Sequence, residues 1–461
     1  MITNGMKKPY SQAAEYIAQL KSIELQINQN QLQQAAQRLT LLTRSSAHDP
    51  RLFLLGSRLA EAAGNPEGML QAARQAHQLA PQWPTATIYL AGVLASRDEA
   101  KEAMALAEQA LQGSKDAALL AQAAAVAQRL SLFPQALQWL RQAEEVNPAD
   151  PALRHEIARS LSDTGDHASA IAVFTDLLQQ HPNSQALLLD RLRVCLSARQ
   201  NLQAIHDGEA LLAIDPDNGV YRFYLDMARG LTPQTQPAAL VADLFDGFAP
   251  RYDRHWAVQL QYKLPRDVAQ MINEWHPDRK GDVLDLGCGT GLLGACLGPI
   301  EGVLVGVDLS GAMIAQAVRH CVYDSFHQVN LLDALQATPE SLYHVITALD
   351  VLNYVGSLDP VIANAYRILV PGGRFVFSCE ASGGNEAETG PGYALPETYR
   401  YTHQRSYVQR LLEEAGFKDV ALEDRVLRYE AEQPVPGFLV TATKQHVVEK
   451  KPARKRALKS V

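Results

Sequence analysis

Apolar positions change their rhythm once along this chain. Up to about residue 230 they recur at helical spacing, and the segments end near prolines: "AHDPRL" at Pro50, "LAPQW" at Pro81, "EVNPAD" at Pro148, "QHPNS" at Pro182 and "AIDPDN" at Pro216. Apolar residues three and four apart line one face of a helix, and proline does not continue one, so this half predicts a run of short amphipathic helices. After "RGLTPQTQPAAL", read as a linker over 231–238, the runs become short and β-rich: "DVLDLGC", "VLVGVDLS", "FHQVNLL", "HVITALDVL", "RFVFSCE", "VALEDRVLRY" and "FLVTATK". Helical patterns such as "GAMIAQAVRHC" and "LDPVIANAYRILV" separate the first five, which predicts a doubly wound, mostly parallel sheet. The last two strands follow one another directly and close it as a hairpin, making seven in all.

The helical half repeats. Pro148, Pro182 and Pro216 are spaced by 34 and 34, and the 67 residues from Pro81 to Pro148 hold two such periods, with the missing boundary near Lys115. Twelve positions before four of these boundaries stands a small residue, Ala103, Ala136, Ala170 or Ala204, as close helix contact demands. In "PALRHEIARSLSDTGDHASAIAVFTDLLQQHP", Ile157, Ala158 and Leu161 line the first helix, Gly165 the turn, and Ala170 and Phe174 the second. This pattern resembles the tetratricopeptide repeat, and implies an α-solenoid of about six units over 10–230. The first two units are degenerate, with Met69 at the small position and an altered length near Pro50, as in a capping unit. The resemblance implies a concave groove for a protein or peptide partner; a dimerisation surface or a rigid spacer fits the residues too.

Candidate chemistry concentrates at "VLDLGCGTGLLG", where strand, glycine loop and helix occur in the order a nucleotide-type loop requires. Gly287, Gly289 and Gly291 let the backbone pass close to a ligand, and Asp308, ending the next strand, is placed to accept hydrogen bonds from ribose hydroxyls. Asp285, just before the glycines, would repel a pyrophosphate and welcome a cationic amino-acid portion. With "PGGRFVFS" before the fifth strand and the terminal hairpin, these features resemble the class I S-adenosylmethionine-dependent methyltransferases over 239–445. In detail the chain resembles the bacterial tetratricopeptide-linked methyltransferases, whose catalytic domains read like "LFDGFAPRYDRHW", "ALDVLNYVGSL", "RYTHQRSYVQRLLEEAGF" and "LRYEAEQPVPGFLV" here.

That resemblance implies S-adenosyl-L-methionine as cofactor. It assigns the methionine portion to Asp285 and the loop Gly287, Cys288, Gly289, Thr290 and Gly291, and the ribose to Asp308 with Leu309 beside it. Met313 packs on the adenine or is ordinary helix core. Where the family usually has an acid for the adenine amino group, this chain has Asn330, followed by Leu331, with Asp333 three residues on; an amide carbonyl can still accept that hydrogen. The aromatic-rich stretch Leu244 to Trp256, with Tyr252 and then Tyr262, folds over the pocket as a lid in relatives; a seam docking the repeat array is the other reading. Asp350, after the fourth strand, lies beside the expected methyl position and orients substrate, acts as a base or caps a turn. Glu380 and His403 are the other candidate proton acceptors, each equally readable as a structural polar group, and Tyr354, Tyr393 and Tyr401 are candidates to shape the pocket. A sulfonium methyl is already electrophilic, so positioning supplies most of the rate and a base is optional.

Composition narrows the partners. With 461 residues, 47% apolar and 20% charged, the chain reads as two or three folded domains. The start lacks an apolar leader core, and no run approaches the ~18 uncharged apolar residues that would span a bilayer, so a cytoplasmic location without membrane partners is expected. The five scattered cysteines form no C-x-x-C pair, suggesting neither a disulfide framework nor a zinc site, and nothing resembles a metal cluster. Net charge is −3 over 1–230, −10 over 231–445 and +5 over the tail 446–461, which reads as a disordered end. An acidic centre repels phosphate backbones, and no Asn/Asp-Pro-Pro-aromatic signature follows the fourth strand, so nucleic acid is disfavoured as substrate. The leading expectation is an S-adenosylmethionine-dependent methyltransferase whose array recruits a protein or carrier-bound substrate. Small-molecule O- or C-methylation with array-mediated assembly, and an inactive scaffold, are the rivals.

Overall fold

Helix starts in the first half keep a strict period. A computed structural model describes residues 9–249, 252, 262–383, 390–430 and 433–445, and divides the chain into two units, Met1–Pro216 and Asp217–Val461. The first unit holds α1 (Pro9–Asn28), α2 (Leu32–Ser45), α3 (Pro50–Ala62), α4 (Pro66–Leu79), α5 (Pro84–Ala95) and α6 (Ala100–Leu111). It continues with α7 (Ala117–Arg129), α8 (Phe133–Val146), α9 (Pro151–Asp163), α10 (His167–Gln180), α11 (Gln185–Ser197) and α12 (Asn201–Ile214). From α2 onward the odd helices begin at 50, 84, 117, 151 and 185 and the even ones at 32, 66, 100, 133, 167 and 201, so a helix pair recurs every 33 or 34 residues; α1 starts earlier, at 9.

Local chemistry sets these starts. Proline occupies the first turn of α3, α4, α5, α8 and α9, where a missing N–H is harmless, and the side chains of Asp49, Asn65, Asp116, Asp150 and Asp166 accept from the free amides of the helices they precede. Each helix packs on its successor, and α1 meets α3, α3 meets α5, α5 meets α7 and α9 meets α11. Ala103, Ala136, Ala170 and Ala204 have no exposed surface, as their smallness predicts; Ala35 is equally enclosed one period before Met69, which is half-buried. The altered length expected near Pro50 lies in the pair before it: α1 is longer than the helices that follow, and α3 starts 41 residues after it, whereas α3 and α5 start 34 apart. Pro50 opens a helix whereas Pro81 lies in the turn ahead of one, so their shorter spacing reflects position within the period.

The array was expected to run to residue 230, but the first unit ends at Pro216. Helix α13 (Gly219–Ala228) keeps the 34-residue spacing from α11 yet falls in the second unit. The following segment is no free linker: Gln234 O accepts from the amides of Gly356 and Ser357, Gln236 N donates to Tyr354 O, and Tyr401 Oη donates to Pro233 O. It lies as a strap along 354–357, and α14 (Ala238–Phe248) begins directly after it.

Among the described residues the second unit is built on a sheet of nine strands, two more than the expected seven. Strands β1 (Val283–Leu286), β2 (Leu304–Asp308), β3 (Ser325–Gln328), β4 (Tyr343–Ala348) and β5 (Leu369–Ala381) are parallel in the order β3-β2-β1-β4-β5. The hairpin β8 (Phe417–Glu430) and β9 (Gln433–Lys444) adds antiparallel to β5 through β9. The extra pair is β6 (Tyr393–Ala394) and β7 (Thr402–His403), where β7 pairs with Glu380 and Ala381 beyond the end of β4. Such two-residue strands carry no periodic signal in a sequence.

Both faces of the sheet are covered, so its central strands are apolar on both sides rather than alternating with polar residues. Leu284, Leu286, Ile346, Ala348, Phe375 and Phe377 face one layer, with the helices Asp359–Ile368 and Arg405–Ala415; Val283, Val345 and Val376 face the other, with the helix Leu264–Trp275. No helix among the described residues is long and apolar enough to cross a membrane. The tail 446–461 and most of the stretch 250–261, Trp256 included, lie outside the described residues.

Candidate functional site

The strand order reverses beside β1, stepping outward to β2 and β3 on one side and to β4 and β5 on the other, and a cleft opens past the carboxyl ends of these parallel strands, where open α/β sheets bind ligands. It is lined by the glycine loop, the ends of β2 and β4, and helix α14. Of the residues singled out from the sequence, Tyr252, Gly287, Gly289, Asp308, Leu309, Met313, Asn330, Leu331 and Asp350 line it together.

The loop after β1 takes left-handed backbone, with φ of +67° at Gly287, +54° at Gly289 and +80° at Gly291. A Cβ at Gly287 would collide with the Val351 side chain, while at Gly289 it would enter open space 4.0 Å from the Tyr252 hydroxyl. Asp308 ties the loop to the end of β2: Oδ2 accepts from Gly289 N and Oδ1 from Ser310 N, each at 2.8 Å. Burial raises its carboxyl above the usual range while these amides oppose the rise. A carboxylate has about four acceptor positions, so two accepted bonds leave room for ligand hydroxyls. Asn330 Oδ1 accepts from Leu332 N at 2.8 Å, capping the next helix while the residue faces the cleft; Asp333 is exposed and does not line it. Met313 is buried and lines the cleft.

Several expected site residues stand elsewhere. Asp285 is buried behind the loop with Oδ1 accepting from Thr347 Oγ1 at 2.8 Å and Oδ2 from Tyr323 Oη at 2.7 Å, so it braces β1 against β4 and does not face the cleft. Burial pushes its carboxyl up to about 6 against those two bonds. The Cys288 side chain is buried beneath the loop, its thiol raised by burial, and Thr290 is buried; Gly291 packs on Ala317. Tyr262 packs into the layer containing Val345 and Leu349, off the cleft lining.

His403 is corrected from proton acceptor to structural residue. It is fully buried, Nε2 donates to the carbonyl oxygens of Val355 and Gly356 at 3.0 and 3.1 Å, and burial lowers its pKa to about 4. Glu380 is likewise enclosed, held by Arg428 and Arg400 and by Asn353 Nδ2 at 3.3 Å. Tyr393 packs on His403 and on Tyr401, Tyr407 stacks on His403, and only Tyr354 of the three candidate pocket tyrosines lines the cleft.

The wall missed from sequence is apolar: Val241, Val307, Val329, Leu349 and Val351, which join Phe245. Phe245 meets Tyr354 and Tyr252 edge-on at centroid distances of 5.4 and 6.3 Å. Asp246 Oδ1 accepts from Ser310 Oγ at 2.5 Å and from Ala312 N at 3.3 Å, pinning α14 over the end of β2. Of the aromatic stretch, Phe245 and Tyr252 line the cleft. Arg428 was also missed: only 1% of its side chain is exposed, and it binds Asp350, Glu380 and Glu430. A register shift between Val426 and Arg428 interrupts the alternation of β8 and re-aims this side chain inward.

Residues 256–422 match the family model described as a methyltransferase domain. The ubiquinone biosynthesis O-methyltransferases of Pseudomonas savastanoi pv. phaseolicola and Pseudomonas syringae pv. syringae are each 30% identical over 142 residues, which is 29% of this chain and 60% of theirs. The chain thus spans less than two thirds of the curated relatives it matches. Magnesium protoporphyrin IX methyltransferase from Synechocystis, solved with bound SAH, is 19% identical with a TM-score of 0.35, covering 45% of this chain and 99% of that one. A likeness that slight carries no weight for the site. Among the described residues no group of acidic, histidine or cysteine side chains is arranged to hold a metal.

Proposed function

We propose that this protein transfers a methyl group from S-adenosyl-L-methionine, using the unit built on residues 239–445. The observation that carries the reading is the meeting, at one cleft, of two left-handed glycines with Asp308 at the end of the neighbouring strand. The methyltransferase-domain match over 256–422 supports it independently. The cleft also fits the group: at Gly289 only hydrogen occupies space that a Cβ would fill, and the lining is mostly apolar with a few polar groups, as in small-molecule sites. Gly287 and Gly289 would admit the methionine portion, Asp308 the ribose hydroxyls, and Leu309, Met313, Val329 and Leu331 the flat base. When bound, the group supplies an electrophilic sulfonium methyl. The chain's own task is then to hold an acceptor in line and keep water out, for which Phe245, Tyr252 and Tyr354 supply a cover.

For the acceptor, we read the helix pairs of the first unit as a tetratricopeptide array that recruits a protein or carrier-bound substrate. The 33- to 34-residue recurrence and the enclosed alanines support this reading. Small-molecule O-methylation is the second reading, favoured by the names of the Pseudomonas relatives. The deciding experiment incubates the protein with S-adenosylmethionine tritiated in the methyl group and a fractionated lysate. Label in the protein fraction, lost when the array is deleted, supports recruitment; label confined to small molecules supports the second reading; no label in any fraction contradicts both.

A further inference from the structure

Asp350 combines three features that a purely structural carboxylate would not retain. Its backbone is left-handed, with φ of +53°, a conformation costly for a residue with a Cβ. Its amide donates to Ser378 Oγ at 2.8 Å and its Oδ1 binds Arg428 at 2.6 Å, so the residue is gripped from two sides. Its Oδ2 is buried and has no hydrogen-bond partner among the described residues, although Asp350 lines the cleft. A buried unpaired oxygen loses its hydration and gains nothing in return, unless a ligand supplies the hydrogen.

The surroundings define what that ligand can be. Arg428 is engaged by Asp350, Glu380 and Glu430, and Arg400 by Glu380 and Glu430, so two guanidinium groups face three carboxylates. The cluster carries an excess of one negative charge, and both its cations are already committed. Among the described residues, Tyr354 and Tyr262 are further titratable groups that feel the Asp350 charge. A carboxylate acceptor would be repelled here; a group bearing hydrogen would be drawn to Oδ2.

Building on the methyl-transfer reading above, we propose that Asp350 Oδ2 receives the hydrogen of a hydroxyl or amine acceptor, with Arg428 as the residue that positions it. As the acceptor oxygen or nitrogen forms its bond to the methyl carbon, the carbon–sulfur bond breaks with its electron pair left on sulfur. The acceptor's proton passes to Oδ2. The positive charge of the sulfonium and the negative charge of the carboxylate are both consumed, and the carboxylic acid formed returns its proton to water. Burial raises this carboxyl to about 6, against the pull of Arg428, which leaves it ionised and a better proton acceptor at neutral pH.

The test uses the full chain, methyl-tritiated S-adenosylmethionine and fractionated lysate, with S-adenosylhomocysteine binding followed by calorimetry. Label stable to mild alkali is expected, because ethers and N-methyl groups resist conditions that hydrolyse methyl esters. Asp350→Asn, which keeps the oxygen that Arg428 binds, is expected to lower transfer at least 100-fold while S-adenosylhomocysteine binding changes less than threefold. The wild-type rate at saturating donor is expected to rise with pH through about 6 and then level, and the residual rate of the variant to lack that rise. Arg428→Lys is expected to recover part of the transfer that Arg428→Met loses. Alkali-labile label, full transfer by Asp350→Asn, or collapse of S-adenosylhomocysteine binding in that variant alone would each overturn the proposal. A wild type that binds S-adenosylhomocysteine and labels nothing also counts against it, whereas a wild type with no S-adenosylhomocysteine binding defeats the underlying methyl-transfer reading.

Discussion

Arg428 Nη1 lies 2.6 Å from Asp350 Oδ1, joining residues 78 positions apart and fixing the loop after β4 to the terminal hairpin. Both side chains are buried, at 1% and 2% exposure, so the pair is shielded from the solvent screening that weakens surface ion pairs. Removing one partner leaves uncompensated charge in the interior. Arg428→Met is therefore expected to destabilise the second unit by about 3–5 kcal/mol in urea denaturation. Combining it with Asp350→Asn is expected to cost less than the two single changes summed, because the partners share one interaction.

Gly287 provides a second check. Its φ of +67° disfavours any Cβ, and an added methyl would strike Val351. Gly287→Ala is expected to cost about 1–3 kcal/mol from the left-handed strain and local shift. Calorimetry is expected to show S-adenosylhomocysteine binding weakened more than tenfold, since Gly287 and Val351 both line the cleft.

The cover over the cleft depends on Phe245, whose ring meets both Tyr252 and Tyr354. Phe245→Ala is expected to weaken S-adenosylhomocysteine binding about tenfold, equivalent to ~1.4 kcal/mol, chiefly through faster dissociation in stopped-flow measurements. If Phe245 served only to join secondary-structure elements, stability would fall and the dissociation rate would not change.

His403 predicts a pH dependence. Its folded pKa of about 4 lies below the ordinary 6.5, so the folded state binds fewer protons than the unfolded one between those values. The associated stability is intact above pH 6.5 and is lost as pH falls towards about 4. Asp285 and Asp350, each raised to about 6, act in the opposite sense over the range from 3.8 to 6. His403→Gln keeps a nitrogen able to donate to Val355 and Gly356 but cannot titrate. Comparing denaturation of the two proteins at pH 7.5 and pH 5 isolates the histidine, and the variant is expected to lose less stability on acidification.

What could be seen in the sequence follows from which signals are local. The strand-loop-helix order around Gly287, the acid ending β2 and the acid after β4 each depend on neighbours within a few residues, and Asp308 and Asp350 do line one cleft. The 34-residue recurrence was legible for the same reason, since turn and capping chemistry repeats with it. Residue type says less about direction. Asp285 turns behind the loop to Tyr323 and Thr347, and His403 is enclosed by the two-residue strands β6 and β7, which have no pattern to detect. Arg428 reads as an ordinary exposed strand residue until the irregularity in β8 turns it inward.

Isothermal titration of S-adenosylmethionine into the wild type and Asp308→Ala tests most directly whether the cleft beside Asp308 holds that compound. The wild type is expected to bind with one-to-one stoichiometry and the variant about 10- to 100-fold more weakly, the size expected for lost hydrogen bonds to a charged group together with release of the Gly289 amide. Absence of binding by the folded wild type, or equal affinity in a folded Asp308→Ala, would contradict that placement.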